Sequence, residues 1–495
     1  MTGSFRDDQI FIGGLWQKGG GAPITSYFAA ETVENTTISG ASNDDVDVGI
    51  ERARRAQPAW AALKAQDRAT VLYRISDGIL ENIERIAWVQ SRDTSKSLAE
   101  TRALAASAAG TFRYFAAVAE TTDDDLTAPR GDYMTTSIHE PMGLVAAITP
   151  WNSPIASDAQ KLAPALAAGN GVLLKPSSWS PLVSLELARI CEEAGLPEGL
   201  LSVLPGSGRI VGDRLVTHPD IAKVSFTGGT KTGRHLAHQA AEKLMPVSLE
   251  LGGKSPSIVF EDCDEDLAIA GVLFGIFSSS GQSCIAGSRL FVQRSLYDRF
   301  VPRLVAATRS LVVGHPFDSE TQVSSLVHPE HRDGVAGYVD LAREEGGRIL
   351  TGGAPPGDPA LANGAYYLPT IIEGLDNTAR VCREEIFGPV LVILPFDDEA
   401  DVIAQANDND YGLACGLWSR DHPKCWRVAR SIRAGTVWIN TYKQFSISTP
   451  FGGEGDSGMG REKGRAGLRA YQRQKSIYED MTGQPHPWAR WPSGN

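Results

Sequence analysis

The sequence predicts an α/β fold in which parallel strands alternate with crossover helices. Short apolar runs and helical patterns take turns after residue 140, the mark of a parallel sheet with helical connections. At 495 residues the chain is too long for one core, so two large domains and an accessory element are expected. Its 42% hydrophobic and 21% charged residues are the composition of a globular protein rather than a disordered one.

In chain order, helical periodicity covers 45–63, 68–89 and 97–119. Strands follow at 143–148, 171–174, 200–204, 223–226 and 247–251, with helices between them at 154–168, 181–194, 209–217 and 231–244. Ser180-Pro181 reads as a cap followed by a first-turn proline, and Gly195 as a helix stop. A second series of strands and helices runs over 255–396, and the Pro- and Trp-rich tail after 480 carries no pattern.

Several function classes are excluded at this level. The net charge of -12 is spread over the chain without a basic stripe, so neither nucleic acid nor an anionic membrane is an expected partner. Residues 1–8 lack the apolar stretch of a secretory signal. The longest apolar run, 268–277, falls short of the about 20 residues that span a bilayer, and a cytoplasmic location is expected. The six cysteines are scattered without CxxC pairs or a histidine cluster, so neither a metal site nor a disulfide framework is expected.

Cys284 stands in Gly-Gln-Ser-Cys-Ile-Ala-Gly behind a polar approach of three serines, and Glu250 lies upstream in Leu-Glu-Leu-Gly-Gly-Lys. A thiol attacks as thiolate, so it needs access and a group that takes its proton, and a carboxylate at an apolar strand end supplies one. Cys191, Cys263, Cys382, Cys415 and Cys425 read as small core residues. The run alone leaves catalysis and core both open for Cys284. No standard dinucleotide fingerprint is present, because Gly206-Ser207-Gly208 is followed by Gly212, one residue too late. Gly252-Gly253-Lys254-Ser255 mimics a phosphate loop but lacks its first glycine. Phe226-Thr227-Gly228-Gly229-Thr230, by contrast, ends a strand and opens a helix whose free N–H groups suit a pyrophosphate.

These segments, with Pro150-Trp151-Asn152, Lys175-Pro176-Ser177, Glu384-Glu385-Ile386-Phe387-Gly388-Pro389 and Pro450-Phe451-Gly452-Gly453, resemble the ordered signatures of the aldehyde dehydrogenase superfamily, of the hydrolytic kind, from about residue 10 to about 480. The resemblance implies a Rossmann-like parallel-sheet cofactor domain (1–122 and 142–252) and an α/β catalytic domain (253–455). It also implies a small β oligomerisation element (123–141 and 470–482), a tail (483–495), and a homodimer or homotetramer.

It further implies that the Cys284 thiolate attacks the aldehyde, and that the Asn152 amide and the Cys284 backbone N–H stabilise the oxyanion. Hydride loss then leaves a thioester that Glu250 hydrolyses through an activated water. Lys161 and Glu462 match positions of a proton relay, with a plain ion pair as the preferred alternative. Ile148, Thr149, Pro150, Trp151, Gly208, Gly212, Phe226, Gly228, Gly229, Thr232 and Leu251 would contact the dinucleotide, and Glu385 and Phe387 its nicotinamide end.

The chain departs from the common pattern at Ser178, where NAD-preferring relatives carry a ribose-binding glutamate. With Lys175 nearby, that favours NADP narrowly over NAD. Ser153, Ser157, Gln160, Ser283, Lys443, Phe445 and Phe451 fall on pocket positions, and a cation at Lys443 suits a polar, carboxylate-bearing aldehyde unless it faces solvent. Gly455 replaces the usual lysine, without a functional reason in the sequence. A CoA-acylating enzyme would lack Glu250, a non-catalytic relative would lack one of Cys284, Glu250 and Asn152, and a cysteine hydrolase would need a histidine in one of these motifs.

Overall fold

The computed structural model describes residues 8–128, 131–486 and 488. Two mixed sheets organise the chain. The first has eight strands in the order Leu15–Gln17, Ile10–Ile12, Leu201–Val203, Gly171–Lys175, Leu144–Ile148, Ile221–Thr227, Val247–Glu250 and Gly458–Met459. Its five central strands are parallel, and the strands beyond them at either edge are antiparallel. Their order reverses between 144–148 and 221–227, and ligands of open parallel sheets bind in the crevice beyond such a switch point.

The second sheet has seven strands in the order Arg348–Thr351, Thr370–Glu373, Val390–Phe396, Arg289–Gln293, Pro256–Val259, Ala414–Trp418 and Thr436–Ile439, parallel except for the first. Alternate side chains feed two separate cores, Ile258 and Phe291 on one face, Val259 and Leu290 on the other. The strands buried on both sides are the continuous apolar runs of the sequence. A third sheet joins Asp125–Leu126, Tyr133–Pro141 and Gln472–Asp480, the last paired along its whole length from Gln472↔Pro141 to Asp480↔Tyr133.

The expected strands of the first half are present to within two residues at either end. The helices need three corrections. The periodicity over 68–89 is two helices, Ala65–Glu81 and Ile83–Thr94, because the Asn82 side chain donates to the Gly78 carbonyl at 2.8 Å and ends the first. Ser180 is not the cap of helix Leu182–Glu193; the Asp93 carboxylate, from helix Ile83–Thr94, accepts from the Leu182 N–H at 2.7 Å. The expected helix 209–217 opens with one π turn, Gly208–Gly212, before Asp213–Thr217. Gly195, at φ +84, ends its helix as expected.

Among the described residues no helix is long and apolar enough to cross a membrane, and no three potential metal ligands cluster. The reading of the first eight residues as lacking a signal lies outside the described residues except for Asp8; that of the tail does so at residues 487 and 489–495.

Candidate active site

Each functional segment begins where a strand ends. Strand 144–148 delivers Thr149, Pro150, Trp151 and Asn152, and Pro154 starts the helix Pro154–Ala167 in its first turn, so the chain turns sharply at Asn152 and Ser153. Strand 247–250 ends on Glu250. Cys284 follows helix Glu265–Phe277 and a tight turn in which Ser279 and Ser280 both have positive φ, at 58° and 54°. Such backbone is uncommon away from glycine and tends to mark functional loops.

Asn152, Glu250 and Cys284 line one cavity of about 770 Å³, and Ser153, Ser157, Gln160, Ser283, Lys443, Phe445, Phe451 and Glu462 share its walls. The Asn152 amide donates to the Gln282 carbonyl at 3.1 Å, tying the loop of the first sheet to that of the second. Ser153 and Ser157 hydroxyls lie 3.1 Å apart, and the Phe445 and Phe451 rings meet edge to face at 5.6 Å. Cys284 is half-buried here, whereas the other five cysteines are buried, as the sequence separates them.

Both Cys284 and Glu250 are held against their ionised forms. The Cys284 thiol is pushed up to about 12, chiefly by burial and then by the Glu385 and Glu250 carboxylates, with Lys443 opposing. Glu250 is raised well above the carboxylate range by burial first and by the charge of Glu462 second, against Lys161, Arg461 and Lys463. Neither oxygen of Glu250 has a hydrogen-bond partner among the described residues. A buried carboxyl left without partners is costly, and such perturbation is a mark of functional sites.

Behind it, Lys161 and Glu462 form a buried ion pair at 2.5 Å, and Lys161 also donates to Ser225 at 3.0 Å. Gly253 and Gly452 let the backbone pass close to both groups. A side chain at Gly253 would press on the Cys284 carbonyl, and one at Gly452 would meet Glu250 Oε1 at 2.8 Å.

The cofactor residues of the sequence reading gather at the switch point. Gly229 precedes helix Thr230–Ala241 with open space in front of it, Gly208 has open space before the π turn, and a side chain at Gly228 would strike the Phe226 ring. Thr232 is exposed on that helix, and the Leu251 side chain packs where a Gly233 side chain would be. Trp151 meets Phe387 edge to face at 5.1 Å, and Ile148 and Thr149 are buried beneath. Glu385 accepts from the Gly253 N–H at 3.0 Å, and burial raises its carboxyl to about 7. The Gly228 N–H donates to the Glu250 carbonyl at 3.0 Å, which leaves the open helix start at Gly229, an aromatic wall and a carboxyl as a chemically suitable set for a dinucleotide.

Ser178 lines a separate cavity of about 340 Å³ with Ser207, Ile210, Trp179 and His328. Its hydroxyl donates to the Gly206 carbonyl at 3.1 Å. The Lys175 ammonium turns back onto the Pro176 carbonyl at 3.1 Å, its stem lies against Gly212, and burial lowers it to about 8.

Three features escaped the sequence reading. Lys463 lines the main cavity beside Glu462. Glu100 enters it from helix Leu98–Thr121, paired with Lys96 at 2.7 Å, and their i,i+4 spacing was the available signal. Trp179 stacks on His328 at 5.3 Å. Lys443 proves half-buried in the cavity wall, bonded to Ser278 at 2.7 Å. Gly455 is explained by backbone: it has φ +61, and a side chain would meet the Asp410 carbonyl at 2.6 Å.

A parallel sheet with a switch point, together with a cavity that holds a thiol and a carboxyl without a partner among the described residues, is the arrangement that a nicotinamide-dependent dehydrogenase needs. The profile of the aldehyde dehydrogenase family matches residues 16–477, and the chain belongs to that family. It is 39% identical over 483 residues to the betaine aldehyde dehydrogenase of Bacillus subtilis strain 168, covering 97% of this chain and 99% of the relative. Among solved structures, PnpE in complex with nicotinamide adenine dinucleotide superposes with a TM-score of 0.95 at 37% identity, covering 98% of this chain and 99% of that one. Betaine aldehyde dehydrogenase from Staphylococcus aureus in complex with NAD+ gives 0.95 at 35%, covering 98% and 97%. The chain is accordingly an enzyme that oxidises an aldehyde to a carboxylic acid and reduces a nicotinamide cofactor of the NAD(P) type.

Proposed function

We propose that Cys284 is the nucleophile, Glu250 the base that activates water, and Asn152 with the Cys284 N–H the oxyanion site. One observation carries the reading: the Glu250 carboxyl is buried without partners in the cavity that Cys284 lines. Burial raises the proton affinity of Glu250 well above that of an ordinary carboxylate, so its ionised form can take a proton from thiol or water without being locked in an ion pair. Asn152 would exchange its bond to Gln282 for one to the substrate oxygen as charge develops there. Glu462, repelling Glu250 and paired with Lys161, would drain the proton from the base. When bound, the nicotinamide accepts the hydride; Trp151, Phe387 and Glu385 would hold that end and Gly208, Gly228 and Gly229 the pyrophosphate.

For the substrate we take an aldehyde that carries an anion. Betaine aldehyde, named for several relatives, bears a quaternary ammonium, and two lysines in the cavity wall, Lys443 and Lys463, would repel it. NADP is expected to serve at least as well as NAD, since Ser178 puts no carboxylate beside the 340 Å³ cavity where a 2′-phosphate would lie. The strand Gln472–Asp480 is an edge with exposed Ile477 and Tyr478, suited to a partner subunit in a homodimer or homotetramer. Six free cysteines fit a reducing cytoplasm. The test is turnover of anionic, neutral and cationic aldehydes with NAD and NADP, with mass spectrometry of the quenched enzyme. An acyl group on any residue but Cys284, or none, refutes the covalent reading.

A further inference from the structure

The ionic groups of the cavity pair off unevenly. Glu462 is taken by Lys161 and Glu100 by Lys96. Lys443 rests on the Ser278 hydroxyl and faces Glu100, whose charge is the largest one holding it protonated. Lys463 has neither arrangement. Its ammonium stands 3.9 Å over the Phe445 ring and 5.4 Å from that of Phe451, and among the described residues it makes no ion pair within 4.0 Å.

The backbone at Lys463 is equally unusual. It has φ 60 and ψ 175, a region almost confined to glycine. A glycine would adopt it without strain, so the strain is borne to present a side chain at that place. The side chain presented is a cation on two aromatic faces, on the wall that Phe451 and Glu462 form beside Cys284 and Glu250.

Resting on the aldehyde reading above, we propose that Lys463, rather than Lys443, receives the anionic group of the substrate. The carbonyl then lies at Cys284, and the carbon chain between them packs on Phe451 and Phe445. This makes the enzyme selective for short aldehydes with a carboxylate at the far end. A carboxylate gives Lys463 a charged partner where it has only ring faces, while a neutral chain leaves the cation unmatched and a quaternary ammonium adds a second one. The charges of Glu462, Cys284 and Glu250 all favour protonated Lys463, and burial, the larger effect, lowers it to about 8.

The experiment compares kcat/KM for succinic semialdehyde and for butanal, matched in length, in the wild type and in Lys463→Met, Lys463→Gly, Lys463→Arg and Lys443→Met. The wild type should prefer the semialdehyde, and that preference should fade as pH passes about 8. Lys463→Met and Lys463→Gly should cut the preference on the order of tenfold to a hundredfold and remove its pH dependence, and Lys463→Arg should keep it. Lys463→Gly relaxes the backbone, so its thermal unfolding midpoint should not fall, which separates lost recognition from lost folding. A preference that survives in both variants but collapses in Lys443→Met overturns the inference while sparing the anionic substrate. A wild type that prefers butanal overturns both, and one that oxidises neither aldehyde fails at the underlying reading and takes the inference with it.

Discussion

Two carboxyls meet in the wall of the cavity, and the chain treats them in opposite ways. Glu462 is buried against Lys161 at 2.5 Å, a matched pair. Glu250 is buried with no partner for either oxygen among the described residues and is pushed well above its usual range, by burial and then by Glu462 itself. One region is built for permanence and the other is kept reactive, and the stable pair helps to make its neighbour reactive. Charge at such a site is arranged less to hold the fold than to set the proton affinity of one group.

The comparison is broken most severely at the thiol. Cys284→Ala should lower turnover roughly 10³-fold or more while dinucleotide binding, followed by fluorescence titration, persists; retention of a few per cent of the rate would remove Cys284 from the chemistry. Glu250→Gln should spare the first half-reaction, leaving a stoichiometric burst of reduced cofactor, and slow the steady state by about 10²- to 10⁴-fold. Loss of the burst along with the steady state would place Glu250 earlier in the reaction. The pH profile sharpens the same point. A base is lost as pH falls through its pKa, and with Glu250 raised well above 4.5 the acid limb of kcat should begin nearer neutrality than a free carboxylate would set. The Gln variant should lack that limb.

Smaller effects test the stable half. Lys161→Met leaves Glu462 buried and unpaired and should lower unfolding stability by about 3–5 kcal/mol in denaturant titration. It also withdraws a charge that lowers Glu250, moving the acid limb of kcat upward. Adding Glu462→Leu should return most of the stability, and if it does not, the pair is not what holds this wall. Ser178→Glu lies farthest from both groups. It should swing the ratio of kcat/KM for NADP against NAD toward NAD by roughly 5- to 150-fold, and an unchanged ratio would show that Ser178 does not set the preference.

What the sequence made legible were segments whose function depends on chain-local geometry: the strand ends before Asn152 and at Glu250, the glycine turn at 228–229, and the serine-rich run to Cys284. What it hid depended on partners distant along the chain. The apolar pattern of 68–89 continues through Asn82, so the break there leaves no trace in periodicity. The cap of helix Leu182–Glu193 comes from Asp93, 89 residues earlier, and no local serine signal could reveal that. Lys463 is an ordinary lysine in sequence; only its left-handed backbone and the two phenylalanines beneath it turn it inward. Lys443, with φ 53, is the same case, and its direction was open until the Ser278 contact fixed it.

Gly253 and Gly452 set a limit on how this enzyme can change. The thiol segment and the carboxyl approach one another across positions where even a methyl group has no room, against the Cys284 carbonyl on one side and Glu250 Oε1 on the other. Pocket walls such as Ser157, Gln160 and Lys463 can be exchanged one residue at a time, so new specificities lie within reach of single substitutions. The spacing of these groups has no such route, because widening it requires two backbone segments distant along the chain to move together. Directed evolution of this scaffold should therefore yield altered aldehydes readily and altered chemistry hardly at all.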